Sequence, residues 1–205
     1  MRYVALLRGV NMLGSRRVEM KKLKALLESL GYANVSTYIN SGNALFESDK
    51  EHGELRREIE HILKSAFGFE VPTLVKTERD MKRIAAAIPM EWQCDAVQRS
   101  DVVYLFPEVD SKALVATLPV NREYVNVRYV RGALVLNFDR GTYAKGHTNK
   151  LISHQVYQFM TMRNVNTARF LAAYRTTSTA RARASAGRGR KPRTGAVRKK
   201  AARPR

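Results

Sequence analysis

The sequence predicts an α+β chain of two subdomains with antiparallel sheets, the first ferredoxin-like (a split βαβ), followed by a disordered basic tail. Three observations carry that prediction. Residues 1–78 read in the order strand, helix, strand, strand, helix, strand. Residues 99–175 begin the same order again, after a connector over residues 79–98. From residue 176 to 205 large apolar side chains nearly vanish and every charge is positive.

Residues 3–7 (YVALL) form a short, wholly apolar run bounded by Arg8 and Gly9, the pattern of a strand covered on both faces. Between residues 18 and 30, Met20, Leu23, Leu26, Leu27 and Leu30 recur at helical spacing, with Gly31 placed to close the helix. Residues 35–39 and 44–46 are β-prone runs joined by Asn40, Ser41, Gly42 and Asn43, turn formers that predict a hairpin. Ser48 and Glu51 are spaced as a capping box for a helix carrying Leu55, Ile59, Ile62, Leu63 and Ala66 on one face and ending at Gly68. Residues 71–77 supply the next strand. Right-handed crossovers then set the first and third strands side by side at the centre of the sheet.

The connector holds a short helical pattern through Ala87, then Pro89, Trp92 and Cys94. Next come a strand over residues 101–106, a helix from residue 110 or 111 to before Pro119, and a hairpin over residues 124–130 and 133–138 turning at Arg131 and Gly132. Two helices, over residues 148–160 and 167–174, stand in place of a final strand. The echo between the halves is one of topology, without a repeat in the residues themselves.

Hydrophobic residues at 44% and charged residues at 27% exclude a fibrous or wholly disordered chain. The single cysteine, Cys94, excludes an intramolecular disulfide and suits a reducing compartment. The apolar run near the start has five residues, against about 7–15 for a signal peptide and about 20 for a membrane helix. A cytoplasmic, non-membrane protein is the expectation.

The segments at residues 2–11 (RYVALLRGVN), 37–43 (TYINSGN), 67–72 (FGFEVP) and 163–167 (RNVNT) together resemble a bacterial family known as domain of unknown function 1697. The likeness runs over residues 2–175, leaving the basic tail outside it. It implies a two-subdomain α+β fold with a ferredoxin-like first half, and no established activity. Members of that family read Arg-Asn-Trp-Asn-Thr where this chain has Val165 in place of the Trp.

In a split-βαβ sheet the loops after the first strand and before the third share one edge, so residues 8–11 and 40–43 should converge. Arg8, Asn11, Asn40, Ser41 and Asn43 thus form one candidate anion site, helped by the N–H groups of the following helix. A second polar cluster holds Lys150, Arg163 and Asn164, with Thr148 and Thr167 placed as helix caps. The plainer reading of both clusters is structural, with the Gly and Asn residues serving turns and the Thr residues serving caps. His147 and His154 lack companion Cys or acidic ligands, so neither a metal nor a cofactor is expected. A P-loop, a GxGxxG turn, a GxSxG elbow and a CxxC pair are all missing from the sequence, which leaves enzyme status open. An open RNA-stacking sheet is disfavoured because the first strand is apolar on both faces.

The formal net charge of +19 is unevenly spread. Arg181, Arg183, Arg188, Arg190, Lys191, Arg193, Arg198, Lys199, Lys200, Arg203 and Arg205 fall in residues 176–205 without any Asp or Glu, leaving 26 basic against 18 acidic residues elsewhere. Such a tail predicts non-specific, salt-sensitive nucleic-acid binding. The alternative is a small anionic ligand, bound or turned over in a polar cleft between the subdomains; the simplest reading of the tail is a solubilising extension.

Overall fold

A computed structural model describes residues 1–12 and 16–174. The tail expectations, its disorder and its nucleic-acid-binding cations alike, fall outside the described residues. The first four strands are β1 (Arg2–Leu7), β2 (Ala33–Tyr38), β3 (Asn43–Glu47) and β4 (Thr73–Thr77), paired antiparallel in the order β2-β3-β1-β4. The first and third strands are therefore central neighbours, with Val4 facing Leu45 across one pairing and Lys76 across the other.

Helices α1 (Met20–Ser29) and α2 (His52–Phe67) fill the two crossovers. The proposed capping box at the start of α2 is not made, because Glu51 is the N-cap and makes no side-chain cap bond, while Ser48 Oγ accepts from the Lys50 N–H instead. A capping box does form one element later, where Thr77 and Asp80 exchange bonds at the start of α3 (Glu78–Ala86). The connector read from the sequence thus opens with a well-capped helix.

The second sheet contains β5 (Gln98–Leu105), β6 (Asn126–Val130), β7 (Ala133–Asp139) and β8 (Met160–Asn164), antiparallel in the order β6-β7-β5-β8. Strand β8 corrects the sequence reading. Leu151, Ile152, Val156 and Phe159 fit a helical period, but α5 (Thr148–Ser153) stops where His154 turns extended, a 3-10 turn spans Gln155–Phe159, and Met160 starts a strand. The helix expected before Pro119 likewise shrinks to the short α4 (Leu114–Thr117), preceded by a 3-10 turn over Pro107–Val109. Leu118 is already extended, as a residue preceding proline prefers. The last helix, α6, is Val165–Ala173. Both sheets therefore carry the same strand order.

Three apolar layers result within a compact unit over Met1–Tyr174. Tyr3, Ala5, Leu7 and Phe46 meet Leu23, Leu27, Leu55, Ile59 and Leu63 beneath α1 and α2. The opposite face of the first sheet, with Val4, Leu6, Leu45 and Leu74, shares a cluster with Val102, Tyr104, Ala133 and Val135 of the second sheet and with residues of α3 and α6. Val165 is fully buried there, so this position packs between elements. The far face of the second sheet is covered by Leu114, Leu118, Val120, Val125 and Leu151. Alternating strand residues point to opposite layers, which is why every side chain of residues 3–7 is buried. Among the described residues, no helix is long and apolar enough to cross a membrane.

Candidate functional site

The end of β1 and the β2–β3 turn come together as the strand directions require. Leu7 N–H donates to Gly42 O at 2.8 Å, and Asn11 Nδ2 donates to Asn40 O at 2.6 Å. Gly42 sits at φ +76°, and a Cβ there would lie 2.7 Å from both Leu7 Cβ and Val10 Cγ2, so the turn tolerates glycine alone without displacement. Asn11 also ties down the chain entering α1, accepting from Val18 N–H at 2.8 Å and donating to Val18 O at 2.9 Å. Asn40 and Asn11, with Met12, Arg16, Arg17, Val18, Glu19 and Met20, line a shallow cavity of about 440 Å³.

Arg163, from the missed strand β8, reaches into this seam and is 7% exposed. Its Nε donates to Asn43 Oδ1 at 2.6 Å, Nη1 to Thr161 Oγ1 and Met162 O, and Nη2 to Leu7 O and Gly42 O. All five N–H donors are thereby occupied. Asn43 is fully buried and donates to Tyr38 O and Ser41 Oγ. Burial pulls the guanidinium down to about 10, which keeps it charged at neutral pH, held by neutral acceptors. Arg163 and Asn43 thus clamp the second sheet to the first and have no donor left for a ligand. Asn164 caps α6 by accepting from Thr167 N–H at 2.8 Å, so Thr167 is the capped residue and not the cap. Thr148 is not a cap either, since His147 occupies that position. Lys150 is exposed on α5 and lies outside the cleft described next.

Beside the clamp opens a cleft of about 610 Å³. Its floor is the outer face of the second sheet and its cover, with Leu136, Phe138, Leu151, Ile152 and Met160. Arg8, Arg99 and Arg140 stand around it, and Ser41 and Asn164 reach its wall. Arg8 donates to Met160 O at 3.1 Å and Tyr157 O at 3.2 Å and lies over the Tyr157 ring. Arg99 donates through Nε to Asp101 Oδ2 at 2.7 Å and lies over Phe138 and Tyr143. Arg140 donates to Asp95 O at 2.7 Å and approaches Cys94 Sγ at 3.8 Å. Among the described residues, Nη1 of Arg8, both terminal nitrogens of Arg99 and Nη1 of Arg140 have no hydrogen-bond partner. Thr148 Oγ1, buried in the same wall, is also unpartnered there. Asp101 is the one acidic residue in the lining; burial raises its carboxyl above the usual value against the opposing pull of Arg99.

Of the eight anion-site residues read from the sequence, Arg8, Ser41, Arg163 and Asn164 line this cleft, while Asn11 and Asn40 line the shallow cavity. Arg99, Asp101, Arg140, Tyr143 and Tyr157 were missed. Arg99 and Asp101 stand two apart on one strand and so share a face, a pattern visible in sequence but common to any exposed strand edge. Among the described residues, no group of three or more His, Cys, Asp or Glu is placed to hold a metal ion.

No curated protein matches the chain. A solved structure, the conserved bacterial protein SP0830 from Streptococcus pneumoniae, is 26% identical with a TM-score of 0.72, covering 83% of this chain and 96% of that one. The family described as Protein of unknown function (DUF1697) matches residues 1–134. With the two equally ordered sheets and the opening segments already described, the chain belongs to that DUF1697 family.

Proposed function

We propose that the protein binds a small organic anion with an apolar body in the cleft beside the Arg163 clamp. The observation that carries this reading is the ring of Arg8, Arg99 and Arg140 around an apolar floor, with Asp101 the only acidic residue lining it. A volume of about 610 Å³ falls in the range of small-molecule sites, about 300–1,000 Å³. Guanidinium groups already braced through Nε or by an aromatic ring are oriented in advance, and their outer nitrogens suit a carboxylate, sulfonate or phosphate fork. The test is a thermal-shift panel of anions with aromatic or alkyl bodies, run beside neutral analogues. A ligand present at a hundred times its Kd adds about 2.7 kcal/mol of stability. Arg140→Ala should weaken the hits while the unliganded melting temperature holds, and Arg99→Ala should weaken them beyond the fall in that temperature caused by leaving buried Asp101 unpaired. Neutral analogues binding equally well, or hits indifferent to both substitutions, would overturn the reading.

A second reading rests on the separation of charge in the sequence. We propose that the cations of residues 181–205 tether the protein to nucleic acid without reading sequence. The slope of log affinity against log salt is then about −0.9 per neutralised phosphate on duplex DNA, roughly −5 for six engaged side chains. Removing residues 176–205 should collapse affinity and slope together, and a truncated chain that binds DNA with unchanged slope would defeat it.

A further inference from the structure

The opposite end of the second sheet holds another cavity, of about 680 Å³, between β4, the starts of α2 and α3, and the β6–β7 turn. We propose that Lys76 in this cavity is a carbonyl-reactive amine that forms an imine with a small anionic aldehyde or 2-oxo acid held by Arg79 and Arg131.

Lys76 is half-buried on β4, and its Nζ donates to Leu105 O at 3.3 Å. No carboxylate among the described residues forms an ion pair with it; the carboxylates that act on it are Asp110 and Asp80, both already engaged. Asp110 Oδ1 receives Tyr129 OH at 3.0 Å and Gly132 N–H at 2.8 Å. Asp80 closes the α3 cap and pairs with Arg83 at 2.7 Å. The turn leaves the amine its room, since a Cβ on Gly132 would stand 2.9 Å from Nζ.

Charges reach the amine from every side. His52 and Arg56 come from α2, and Arg56 is taken up by Glu60 and Glu108. Arg79 and Arg83 come from α3, and Arg131 from the β6–β7 turn. Arg79 and Arg131 have no partner among the described residues, which leaves them to receive an anion. Burial, the largest influence, lowers the Lys76 pKa below its ordinary 10.5; Asp110 and Asp80 pull it back, while Arg83 and Arg131 lower it further. More of the amine is therefore neutral at physiological pH than at an exposed lysine, the condition for nucleophilic attack.

In the reaction, the nitrogen lone pair forms a C–N bond as the carbonyl π pair moves to oxygen. A proton passes from nitrogen to that oxygen, giving a carbinolamine. Loss of the hydroxyl with the second amine proton as water leaves C=N. Amine and carbonyl become imine and water, without oxidant or reductant.

The test uses pyridoxal 5′-phosphate as an anionic aldehyde, the uncharged-tail pyridoxal as its control, and borohydride to fix any imine before peptide mapping. Lys76 should be labelled faster at neutral pH than the exposed Lys21 and Lys24. Its rate should inflect at lower pH than theirs. Lys76→Arg should remove that adduct. Arg131→Ala, at an exposed turn residue, should slow labelling by the phosphate more than labelling by pyridoxal, because it removes the anion's partner as well as a charge that lowers the Lys76 pKa. Arg99→Ala in the other cleft should change nothing, so failure here and failure of the cleft reading are separable. Labelling spread evenly over surface lysines, an unlabelled Lys76, or equal rates with both aldehydes would each overturn the proposal.

Discussion

The two sheets share a strand order but differ in what roofs their outer faces. The first lies under helices of 10 and 16 residues, whose Leu23, Leu27, Leu55, Ile59 and Leu63 form a continuous layer. The second is covered by separate helices of four and six residues, the latter flanked by 3-10 turns. Long amphipathic helices lay an unbroken apolar stripe on a sheet, whereas short pieces leave gaps between them. The cleft with Arg8, Arg99 and Arg140 opens at such a gap, walled by Tyr143, Thr148, Leu151 and Tyr157 of the short pieces. The well-roofed half supplies rigidity and the thinly roofed half supplies room.

The harshest challenge to that contrast is to unlock the halves. Arg163→Ala should cost about 3–5 kcal/mol, because Asn43 Oδ1 and the Leu7 and Gly42 carbonyls lose their shared donor inside the protein. Arg163→Lys should recover part of that loss, since three ammonium donors cannot serve all the acceptors of a five-donor fork. Denaturant unfolding measures both, and full recovery by Lys would show that the fork geometry is immaterial. Next, Ile59→Ala under the thick roof should cost about 4 kcal/mol and Leu114→Ala under the thin one about 2, as the looser site relaxes around its cavity. Equal costs would break the comparison.

Smaller effects sharpen it. Asn164→Ala should remove about 1 kcal/mol by uncapping α6, read as a shift in urea midpoint. The two halves should also titrate with opposite sign. In the first, Lys50 and Tyr32 hold the Glu58 carboxyl below its ordinary 4.5. A carboxylate lowered in the folded state contributes stability above its unfolded pKa and loses it as pH falls through the folded value, so Glu58→Gln should flatten the acid limb. In the second, burial raises Asp101 above its ordinary 3.8, so the folded state holds its proton longer and stability declines as pH rises from that value. Asp101→Asn should remove the decline. Unfolding midpoints taken between about pH 3 and 6 compare the two slopes.

The same contrast decides what the sequence reveals. Leu23, Leu26, Leu27 and Leu30 repeat often enough to mark α1, and the both-face burial of β1 follows directly from YVALL. Residues 148–164 hold three short elements in which no period lasts two turns, so helix and strand look alike and β8 is hidden. The converging loops could be derived from strand directions alone. That Asn43 and Arg163 bind each other, 120 residues apart, could not, because nothing local distinguishes a buried arginine from a surface one.

That separation has a consequence for the chain while it is being made. The ribosome adds about 5–20 residues per second, so the 120 residues between Asn43 and Arg163 take roughly 6–24 s to appear. Once Thr77 has emerged the nascent first half can pair its four strands, yet Val4, Leu6, Leu45 and Leu74 wait for the opposing Val102 and Tyr104 and, last, for Val165. Chaperone capture and misassociation on polysomes should concentrate on this one apolar surface, and a destabilised Arg163 variant should lengthen its exposure after synthesis ends.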